Sequence, residues 1–416
     1  MEYVKITLKV LYYLLLAITL VFSLYFSLVG LYGLLKKNKE TLKEIKKNNR
    51  FAILIAARNE ENVIGALIDS LKKIDYPKDY YDVYVIPNNC TDKTSEISKE
   101  HGSKVLECTV KTKVKADVLR FAFRKLEDKD YDAYIIFDAD NIVDKNYLKE
   151  MNTVLNNGHN IAYGLREAKN SNDSWVSGSY AIYYIFMNLF INYSRYNMGV
   201  SCLVTGTGFM VSKKIIDKYG FDTKTLTEDL EYSGFCALNK ERVYFAKNAI
   251  TYDELPVKFM ASVKQRKRWT AGTIECMKLY SHKLLKDFLK NGNIASLDIC
   301  LLYITPYIQV FSFLNILFIP LFRLLKIDLF GFDIHMLITG LISSIASYVL
   351  TVAFSIIIVM MLKKKVLPLL KGILFFPLFI FSWVPINIYC LIKKQDSWEE
   401  IKHSKKVTID DLVKEQ

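Results

Sequence analysis

The sequence has few of the residues that build disulfide frameworks or zinc sites. Its 416 residues include seven cysteines and five histidines, and the cysteines are scattered, with no C-x-x-C pair and no histidine nearby at metal-ligand spacing. This pattern excludes a disulfide-stapled secreted module and a zinc finger. It predicts reduced cysteines that fill cytoplasmic or membrane-buried positions.

An excess of acidic residues is also absent, because the formal net charge is +13. Nucleic acid would be one partner for such a chain, but the lysines cluster beside apolar segments. That placement suits anionic lipid headgroups and membrane topology better. We therefore expect the lipid bilayer as a partner and no nucleic acid.

Long apolar runs are plentiful, and 51% of the residues are hydrophobic. The run Val10 to Leu35 has 26 residues without a charge, more than the roughly 20 that cross a bilayer and too many for the usual core of a secretory signal. We interpret it as an uncleaved anchor. Basic residues crowd the segment after it, so the positive-inside rule predicts a cytoplasmic central domain and an external N-terminus. These basic residues are Lys36, Lys37, Lys39, Lys43, Lys46, Lys47 and Arg50.

Three further apolar segments follow the central domain and are long enough to span a membrane. They are Leu297 to Leu325, Met336 to Leu362 and Val366 to Ile392. The last contains three prolines, so it is predicted to be kinked or to lie partly in the interface. Three complete crossings would place the basic tail from Lys393 outside, against the positive-inside rule, and the sequence leaves this conflict open.

The stretch from about Phe51 to Leu255 alternates short apolar runs with amphipathic segments. The runs "FAILIAA", "YDVYVIP", "YDAYIIFDAD" and "ERVYFAKNAITYD" predict central strands of a parallel sheet. The segments "EENVIGALIDSLKKI" and "TDKTSEISKEHG" predict helices, the first with Asn59 as its N-cap. The order predicts a doubly wound α/β domain, whose ligands bind at the carboxyl ends of the strands.

The predicted organisation places this domain between membrane segments. A stretch of mixed apolar and basic residues at helical spacing precedes the second membrane segment and predicts amphipathic helices on the inner surface. In the tail, Trp398 to His403 predicts either an amphipathic surface helix or a solvated segment. The expected divisions are 1–36 anchor, 37–50 basic linker, 51–257 central domain, 258–292 interface helices, 293–392 membrane helices and 393–416 basic tail.

The first candidate chemical group is "DADN", directly after the apolar run "AYIIF". Alternate residues of an extended chain project to one side, so Asp138 and Asp140 form a pair at a strand end. Two such carboxylates can hold Mg²⁺ or Mn²⁺, which keeps water and substrate phosphate as its other ligands. Solvated loop aspartates are the plainer interpretation of this motif.

The second group is "TLTEDLEY", with three acids after a threonine-rich turn. Thr227 would be the N-cap, and Glu228, Asp229 and Glu231 would complement the helix dipole. A carboxylate fixed at a helix N-terminus can also act as a general base.

The third group is "QRKRW", Gln265 to Trp269. Arg266, Lys267 and Arg268 could neutralise phosphate, Gln265 could hydrogen-bond it, and Trp269 could stack on a sugar face. An interfacial anchor of aromatic and basic residues is the alternative.

Together these residues resemble the membrane-embedded, inverting glycosyltransferases of family 2, which include cellulose, poly-N-acetylglucosamine, chitin and hyaluronan synthases. The D-x-D, T-E-D and Q-x-x-R-W signatures occur in family order over roughly Phe51 to Gly272. The resemblance implies a GT-A domain that binds a UDP-sugar with Mg²⁺ or Mn²⁺ and inverts the donor linkage.

The resemblance also implies a role for each matching residue. Asp138 and Asp140 would bind the metal, Asp229, beside Glu228, would be the base, and Trp269 would stack on the growing β-glycan acceptor. Gln265 and Arg268 would hold the pyrophosphate. The nucleotide pocket would use Ala57, Arg58, Glu60 and Asn88, with Lys115 near the diphosphate and Thr207 and Gly208 of "TGTGF" in the acceptor-lining segment. Asn88 departs from the aspartate usual in the family, and its amide oxygen keeps one acceptor for the base.

The leading functional hypothesis is a processive β-glycan synthase of the exopolysaccharide or biofilm kind, in a bacterial-type plasma membrane. It would polymerise UDP-glucose into a cellulose-like β-1,4-glucan and pass it through its own helices. The alternatives are a poly-N-acetylglucosamine synthase, a non-processive transferase acting on a lipid carrier, and a glycan-conducting protein without transferase activity, the last favoured only by Asn88. An accessory subunit or a homo-oligomer remains open.

Overall fold

The computed structural model describes residues 2–36, 38, 40–325, 327, 334–393, 405 and 407–415. The predicted surface helix Trp398 to His403 lies outside the described residues. The strands are β1 Phe51–Ala57, β2 Tyr81–Pro87, β3 Lys104–Val105, β4 Ala133–Asp138, β5 Ile142–Val143, β6 Ile161–Ala168, β7 Phe209–Ser212 and β8 Val243–Asp253.

The helices surround this sheet and extend from it. They are α1 Glu2–Leu35, α2 Ile64–Lys72, α3 Thr94–Glu100, α4 Lys115–Lys125, α5 Tyr147–Asn156, α6 Trp175–Phe186, α7 Ser194–Met198, α8 Lys213–Tyr219, α9 Glu228–Leu238, α10 Phe259–Asn291, α11 Ile294–Leu324, α12 Ile334–Met361, α13 Val366–Phe381, α14 Trp383–Ile392 and α15 Ile409–Glu415. A 3-10 turn, Lys78–Tyr80, precedes β2, and a π-helical segment, Met187–Tyr193, joins α6 to α7.

The eight strands of the described residues form one mixed sheet in the order β3-β2-β1-β4-β7-β6-β8-β5. The four predicted strands all form, and β1 lies parallel to both β2 and β4, so the α/β prediction is confirmed. The sheet is not wholly parallel, because β7 runs antiparallel to β4 and β6, and β5 runs antiparallel to β8. The four-residue β7 and the two-residue β5 are too short to give a clear pattern in the sequence.

The predicted N-cap at Asn59 is wrong. Helix α2 begins at Ile64, and its N-cap residue is Val63. Asn59 instead has a left-handed backbone with φ of 57°, and its side chain accepts a hydrogen bond from the Thr91 backbone N–H at 2.8 Å. Asparagine tolerates this conformation because its short polar side chain bonds locally, so the residue joins two loops at the carboxyl edge of the sheet.

Within the described ranges, four helical segments are long and apolar enough to cross a membrane. They are Glu2–Leu35, Ile294–Phe322, Ile342–Met361 and Val366–Ile392. The last segment divides into α13 and α14 at Ser382, as a kink there would require. Pro385 has no N–H to offer the carbonyl four residues earlier, which weakens the helix at this point.

A buried ion pair joins the first two membrane segments to the central domain. Asp298 of α11 accepts hydrogen bonds from Arg195 of α7 at 2.6 and 2.7 Å and from the Tyr25 hydroxyl of α1 at 3.0 Å. Both charges are almost completely buried. Removing either partner would leave an uncompensated buried charge, so the pair fixes the three helices to one another.

Helix α6 holds α13 against the sheet domain through a very close crossing. A Cβ atom added to Gly178 of α6 would lie 2.8 Å from the Gly372 Cα of α13. Only glycine at both positions permits this approach. The crossing brings α13 and α14 alongside α10, where the Q-x-x-R-W sequence lies.

Candidate active site

A cavity of about 600 Å³ opens at the carboxyl ends of β1, β2 and β4. Most of the predicted site residues line it, although they come from separate parts of the chain. These cavity residues are Ala57, Arg58, Glu60, Asn88, Lys115, Asp138, Asp140, Glu228, Asp229, Gln265, Arg268 and Trp269. The structure therefore brings the D-x-D, T-E-D and Q-x-x-R-W sequences to one place.

Lys115, the first residue of α4, bridges two of these acids. Its ammonium lies 2.5 Å from Asp138 Oδ1 and 3.6 Å from Glu228 Oε1. Burial alone would lower the pKa of Lys115, but the two carboxylates outweigh burial and raise that pKa to about 12. The lysine is thus a fixed cation at the centre of the cavity.

Asp138 and Asp140 occupy different surroundings at the end of β4. Burial alone would raise the pKa of Asp138, but Lys115, Arg166 and Arg268 hold it below its usual value, so the carboxylate is ionised. Asp140 is buried, and its Oδ2 accepts a hydrogen bond from the Glu254 backbone N–H at 3.3 Å. Both carboxylates reach the cavity wall.

Thr207 and Gly208, predicted as substrate-binding residues, do not line the cavity. The Thr207 hydroxyl is buried and accepts a hydrogen bond from the Asp138 backbone N–H at 2.9 Å. Gly208 donates to the Ile136 carbonyl at 2.9 Å and so continues the strand pairing. The cavity wall here is formed by Thr205 and Gly206 instead.

The segment 205–208 also holds Asp229 at the start of α9. Thr227 is the N-cap residue of this helix, as predicted, although its side chain makes no capping hydrogen bond. The Gly206 N–H donates to Asp229 Oδ2. Gly206 has a φ of 80°, which favours glycine and turns its N–H toward the carboxylate.

Glu228 and Glu231 have separate roles on α9. Glu231 lies away from the cavity and accepts hydrogen bonds from the backbone N–H groups of Lys224 and Thr225, both at 2.7 Å. Glu228 lines the cavity and is 4% exposed. Burial raises the pKa of Glu228 to about 7, and the nearby Asp229 charge adds to the effect while Lys115 opposes it.

Only part of the "QRKRW" stretch faces the cavity. The prediction that Arg266 and Lys267 meet phosphate is wrong, because successive helical residues point about 100° apart. Arg266 is fully buried against α13, where it donates to the Phe379 carbonyl at 3.1 Å and to the Ser382 hydroxyl at 2.8 Å. Lys267 lies over the Tyr389 ring of α14 at 4.2 Å. Gln265, Arg268 and Trp269 line the cavity.

Asn88 directly follows β2 and lines the cavity. Its Oδ1 accepts a hydrogen bond from the Thr112 hydroxyl at 2.8 Å, and its backbone N–H donates to the Ala57 carbonyl at 2.9 Å. An amide oxygen has two lone pairs, so one acceptor position remains for a base.

Sequence reasoning missed several cavity residues. Arg166 Nε donates to Asp253 Oδ2 at 2.9 Å, and both side chains are buried at the strand ends of β6 and β8. Their positions could have been found from "REA" and "YDEL", which are polar groups that end apolar runs. The membrane segments add more lining residues, namely Phe22, Phe26, Leu302, Thr305, Pro306, Gln309, Ile380, Trp383 and Asn387.

A comparison with protein families decides the class of this chain. The profile described as "Glycosyltransferase like family 2" matches residues 48–272, which is more than half of the chain. The chain belongs to glycosyltransferase family 2. By family, the chain is therefore a glycosyltransferase.

Curated relatives of this glycosyltransferase differ in their products. It is 27% identical over 276 residues to the β-monoglucosyldiacylglycerol synthase of Nostoc sp. (strain PCC 7120), covering 64% of this chain and 58% of that one. It is 23% identical over 303 residues to the poly-β-1,6-N-acetyl-D-glucosamine synthase of Staphylococcus aureus (strain MSSA476), covering 72% and 69%. The chain spans about half the length of the first relatives that it matches.

Among solved structures, the glycosyltransferase resembles the mannosyltransferase PcManGT from Pyrobaculum calidifontis in complex with GDP-Man and Mn²⁺. The TM-score is 0.61 at 14% identity, and the match covers 93% of this chain and 98% of that chain. This match confirms the GT-A fold, with long apolar helices at both ends of the sheet domain.

Asp138 and Asp140 of the glycosyltransferase fit a hard divalent cation. They are two carboxylates at the wall of one cavity, and Mg²⁺ or Mn²⁺ typically takes one or two carboxylates together with substrate phosphates. A bound cation would supply positive charge to the diphosphate of the donor. Lys115 and Arg268 line the same cavity and would add to that charge.

The pKa of Glu228 predicts a pH dependence of the glycosyltransferase. Ionisation of Glu228 near pH 7 places a second negative charge beside Asp229, which strengthens a base at that position. We expect the rate to rise about threefold as the pH passes through 7, and Glu228→Gln to abolish that rise. Rates at saturating donor, measured against pH for both proteins, check this, and an unchanged profile in the variant would contradict it.

Glu228 also makes the stability of the folded protein depend on pH. Its native pKa of about 7 lies above the usual 4.5, so the native state binds the proton more tightly than the unfolded chain. The stabilisation is complete below pH 4.5 and is lost as the pH rises through 7. Glu228→Gln should remove this loss from the pH dependence of Tm.

Proposed function

We propose that the protein transfers a hexose, with inversion, from a nucleotide diphosphate donor to a lipid acceptor that enters from the membrane. The donor that we propose is UDP-glucose, and the sugar transferred is glucose. The observation that carries the proposal is the cavity, which continues from Asp138 and Asp229 to residues of four membrane helices.

The composition of the membrane part of the cavity supports a lipid. One part of its wall is apolar and comes from α1, the π-helical segment and α11, with Phe22, Phe26, Met187, Ile191 and Leu302. Acyl chains match such a wall, whereas a glycan would leave its hydroxyl groups without hydrogen-bond partners there. The similarity to a β-monoglucosyldiacylglycerol synthase is consistent with this acceptor class.

The cavity provides each group that an inverting transfer needs. Asp229 would accept the proton of the acceptor hydroxyl, whose oxygen then forms the new bond to C1 of the sugar. The bond from C1 to the phosphate oxygen breaks in the same displacement. The nucleoside diphosphate leaves with its charge, which Lys115 and Arg268 would neutralise together with the divalent cation.

A processive β-glycan synthase, the leading hypothesis from the sequence, is the second candidate. Trp269 and Trp383 support it, since their rings lie 6.4 Å apart at 30° in the same cavity and could stack on successive sugars. The similarity to a poly-β-1,6-N-acetyl-D-glucosamine synthase is consistent with this candidate, which would also make N-acetylglucosamine the donor sugar.

We further propose that the tail and the sheet domain lie on the cytoplasmic side of the membrane. Ile409 and Leu412 of α15 are buried against Ile142 and Tyr252 of the sheet. The chain must then cross the membrane an even number of times between α10 and α15. We assign the incomplete crossing to α13 and α14, because the buried Arg266 of the interface helix contacts their junction.

Product analysis tests the proposal. Full-length protein in phosphatidylcholine nanodiscs containing dioleoylglycerol would receive labelled UDP-glucose, UDP-N-acetylglucosamine or GDP-mannose, with Mn²⁺ in each case. We expect label from UDP-glucose in the organic phase as a one-sugar β-linked lipid. A long polymer made from UDP-glucose and digested by a β-glucanase, or made from UDP-N-acetylglucosamine and digested by an enzyme that cleaves β-linked N-acetylglucosamine, would support the second candidate and contradict the first.

A further inference from the structure

A chain of hydrogen bonds crosses the membrane part of the cavity. The Thr270 hydroxyl of α10 donates to Asn387 Oδ1 of α14 at 3.0 Å, and Asn387 Nδ2 donates to Gln309 Oε1 of α11 at 2.5 Å. The Trp383 indole N–H donates to the Thr270 hydroxyl at 3.3 Å. All four residues line the cavity. Polar side chains among membrane helices are costly unless they are paired, and they commonly mark substrate pathways.

The chain of bonds ends in an unused donor. Asn387 is fully buried and both ends of its amide are engaged. The Gln309 oxygen is taken by Asn387, which leaves the Gln309 amide N–H groups at the end of the chain. Within the described part of the protein, the structure gives them no acceptor. The same cavity also has a free acceptor. Gln265 lines it, and the Gln265 Oε1 is buried without a hydrogen-bond partner among the described residues.

The position of Gln309 relative to the proposed base follows from helix geometry. The Tyr303 hydroxyl of α11 donates to the Leu230 carbonyl at 2.8 Å, which sets Tyr303 level with the residue after Asp229. Gln309 lies six residues further along α11, and hence about 9 Å further from the sheet domain. A head group whose hydroxyl meets Asp229 would extend its linkage toward Gln309.

Charge is divided sharply along this cavity. Three cationic lining residues, Lys115, Arg166 and Arg268, lie close enough to Asp138 to lower its pKa, and so belong to the donor end. The lining residues from the membrane helices α1, α11, α13 and α14 are apolar or neutral within the described ranges. A phosphate group placed among them would be buried without a counter-charge, which is unfavourable.

We propose that the chain Gln309, Asn387 and Thr270 is a binding subsite for an uncharged, oxygen-bearing head group of the acceptor, such as a glycerol ester. This subsite selects neutral lipids over phosphate-bearing lipids. The inference rests on the proposed lipid acceptor. Gln309 donates to an acceptor oxygen, Asn387 and Thr270 fix the Gln309 orientation, and the described lining residues of the membrane helices supply no cation for phosphate.

A matched pair of lipids tests the selection. Full-length protein in phosphatidylcholine nanodiscs would receive labelled donor and Mn²⁺ with either dioleoylglycerol or dioleoylphosphatidylglycerol. Both lipids have a free primary hydroxyl and the same acyl chains, and only the second has a phosphate. We expect transfer to dioleoylglycerol to exceed transfer to dioleoylphosphatidylglycerol at least tenfold.

Substitutions at the subsite then separate binding from catalysis. Gln309→Leu is expected to raise KM for dioleoylglycerol about tenfold, as the loss of one buried hydrogen bond predicts. KM for the donor should stay within about twofold, because the cations of the donor end are unchanged. Gln309→Arg is expected to shift preference toward dioleoylphosphatidylglycerol. Asn315→Leu is the control, because Asn315 is an amide on the same helix that contacts Thr19 of α1 outside the cavity.

The outcomes are distinct. Equal or greater use of dioleoylphosphatidylglycerol by the natural protein would overturn the subsite inference while leaving the lipid acceptor proposal intact. An unchanged acceptor KM in Gln309→Leu, with Gln309→Arg showing no shift in preference, would also overturn it. A polymer product without any glycolipid would overturn the inference and the lipid acceptor proposal together.

Discussion

Replacing Asp229 by asparagine is expected to lower kcat by about 10³-fold, the usual contribution of a positioned general base. The asparagine keeps an oxygen that can accept the Gly206 N–H, so the start of α9 should hold its geometry. It has no basic oxygen to take the acceptor proton. Donor affinity should remain within about twofold, because the cations Lys115 and Arg268 are unchanged. Initial rates and donor binding by calorimetry check both parts.

Asp222→Asn provides the matched control for this substitution. Asp222 is exposed and forms an ion pair with Arg120, away from the cavity. Its replacement should leave kcat within about twofold, as expected for a surface position. If Asp229→Asn retained a tenth or more of the natural rate, another group would have to be the base.

Replacing Gly272 by valine is expected to lower kcat by about 100-fold without a comparable loss of donor affinity. A Cβ atom at Gly272 would lie 2.6 Å from Thr227 Cγ2 and 2.9 Å from Thr227 Cβ. The helix α10 and the segment before α9 would therefore have to separate. This contact fixes the position of Asp229 relative to Trp269. A displacement of about 1 Å at a reacting group can lower the rate 100-fold.

The control for this second substitution is Lys278→Val. Lys278 is exposed on the same helix, so the change introduces the same β-branched side chain without a clash. We expect its kcat to stay within about twofold of the natural protein. Equal kcat values for Gly272→Val and Lys278→Val, with both proteins folded by circular dichroism, would show that the contact does not set the geometry.

The residues at the donor end could be predicted because local patterns carry them. Asp138 and Asp140 follow an apolar strand, Asp229 follows a threonine-rich turn, and Trp269 lies in a basic sequence. The first two patterns place carboxylates at a strand end and at a helix start, and the third places Trp269 inside α10, on the face that lines the cavity. The resemblance to family 2 then combined three separate patterns into one site.

The residues of the acceptor end could not be predicted in the same way. Gln309 and Asn387 are single amides in long apolar segments, and only the packing of α10, α11 and α14 shows that they meet. The burial of Arg266 could not be predicted for the same reason. The sequence gives its charge but does not show that α13 packs over it. Which side chains of neighbouring helices meet is decided by tertiary packing, and local periodicity does not show it.

Photolabelling tests the central claim that the acceptor lies between Asp229 and the membrane helices. A diacylglycerol analogue with a diazirine on its acyl chain would be activated in nanodiscs that contain the full-length protein, and the labelled peptides would be identified by mass spectrometry. Labels at Phe22, Phe26 or Leu302, reduced by excess dioleoylglycerol, are the result predicted here. Labels confined to outward residues such as Leu24 and Leu28, unaffected by dioleoylglycerol, would contradict the account.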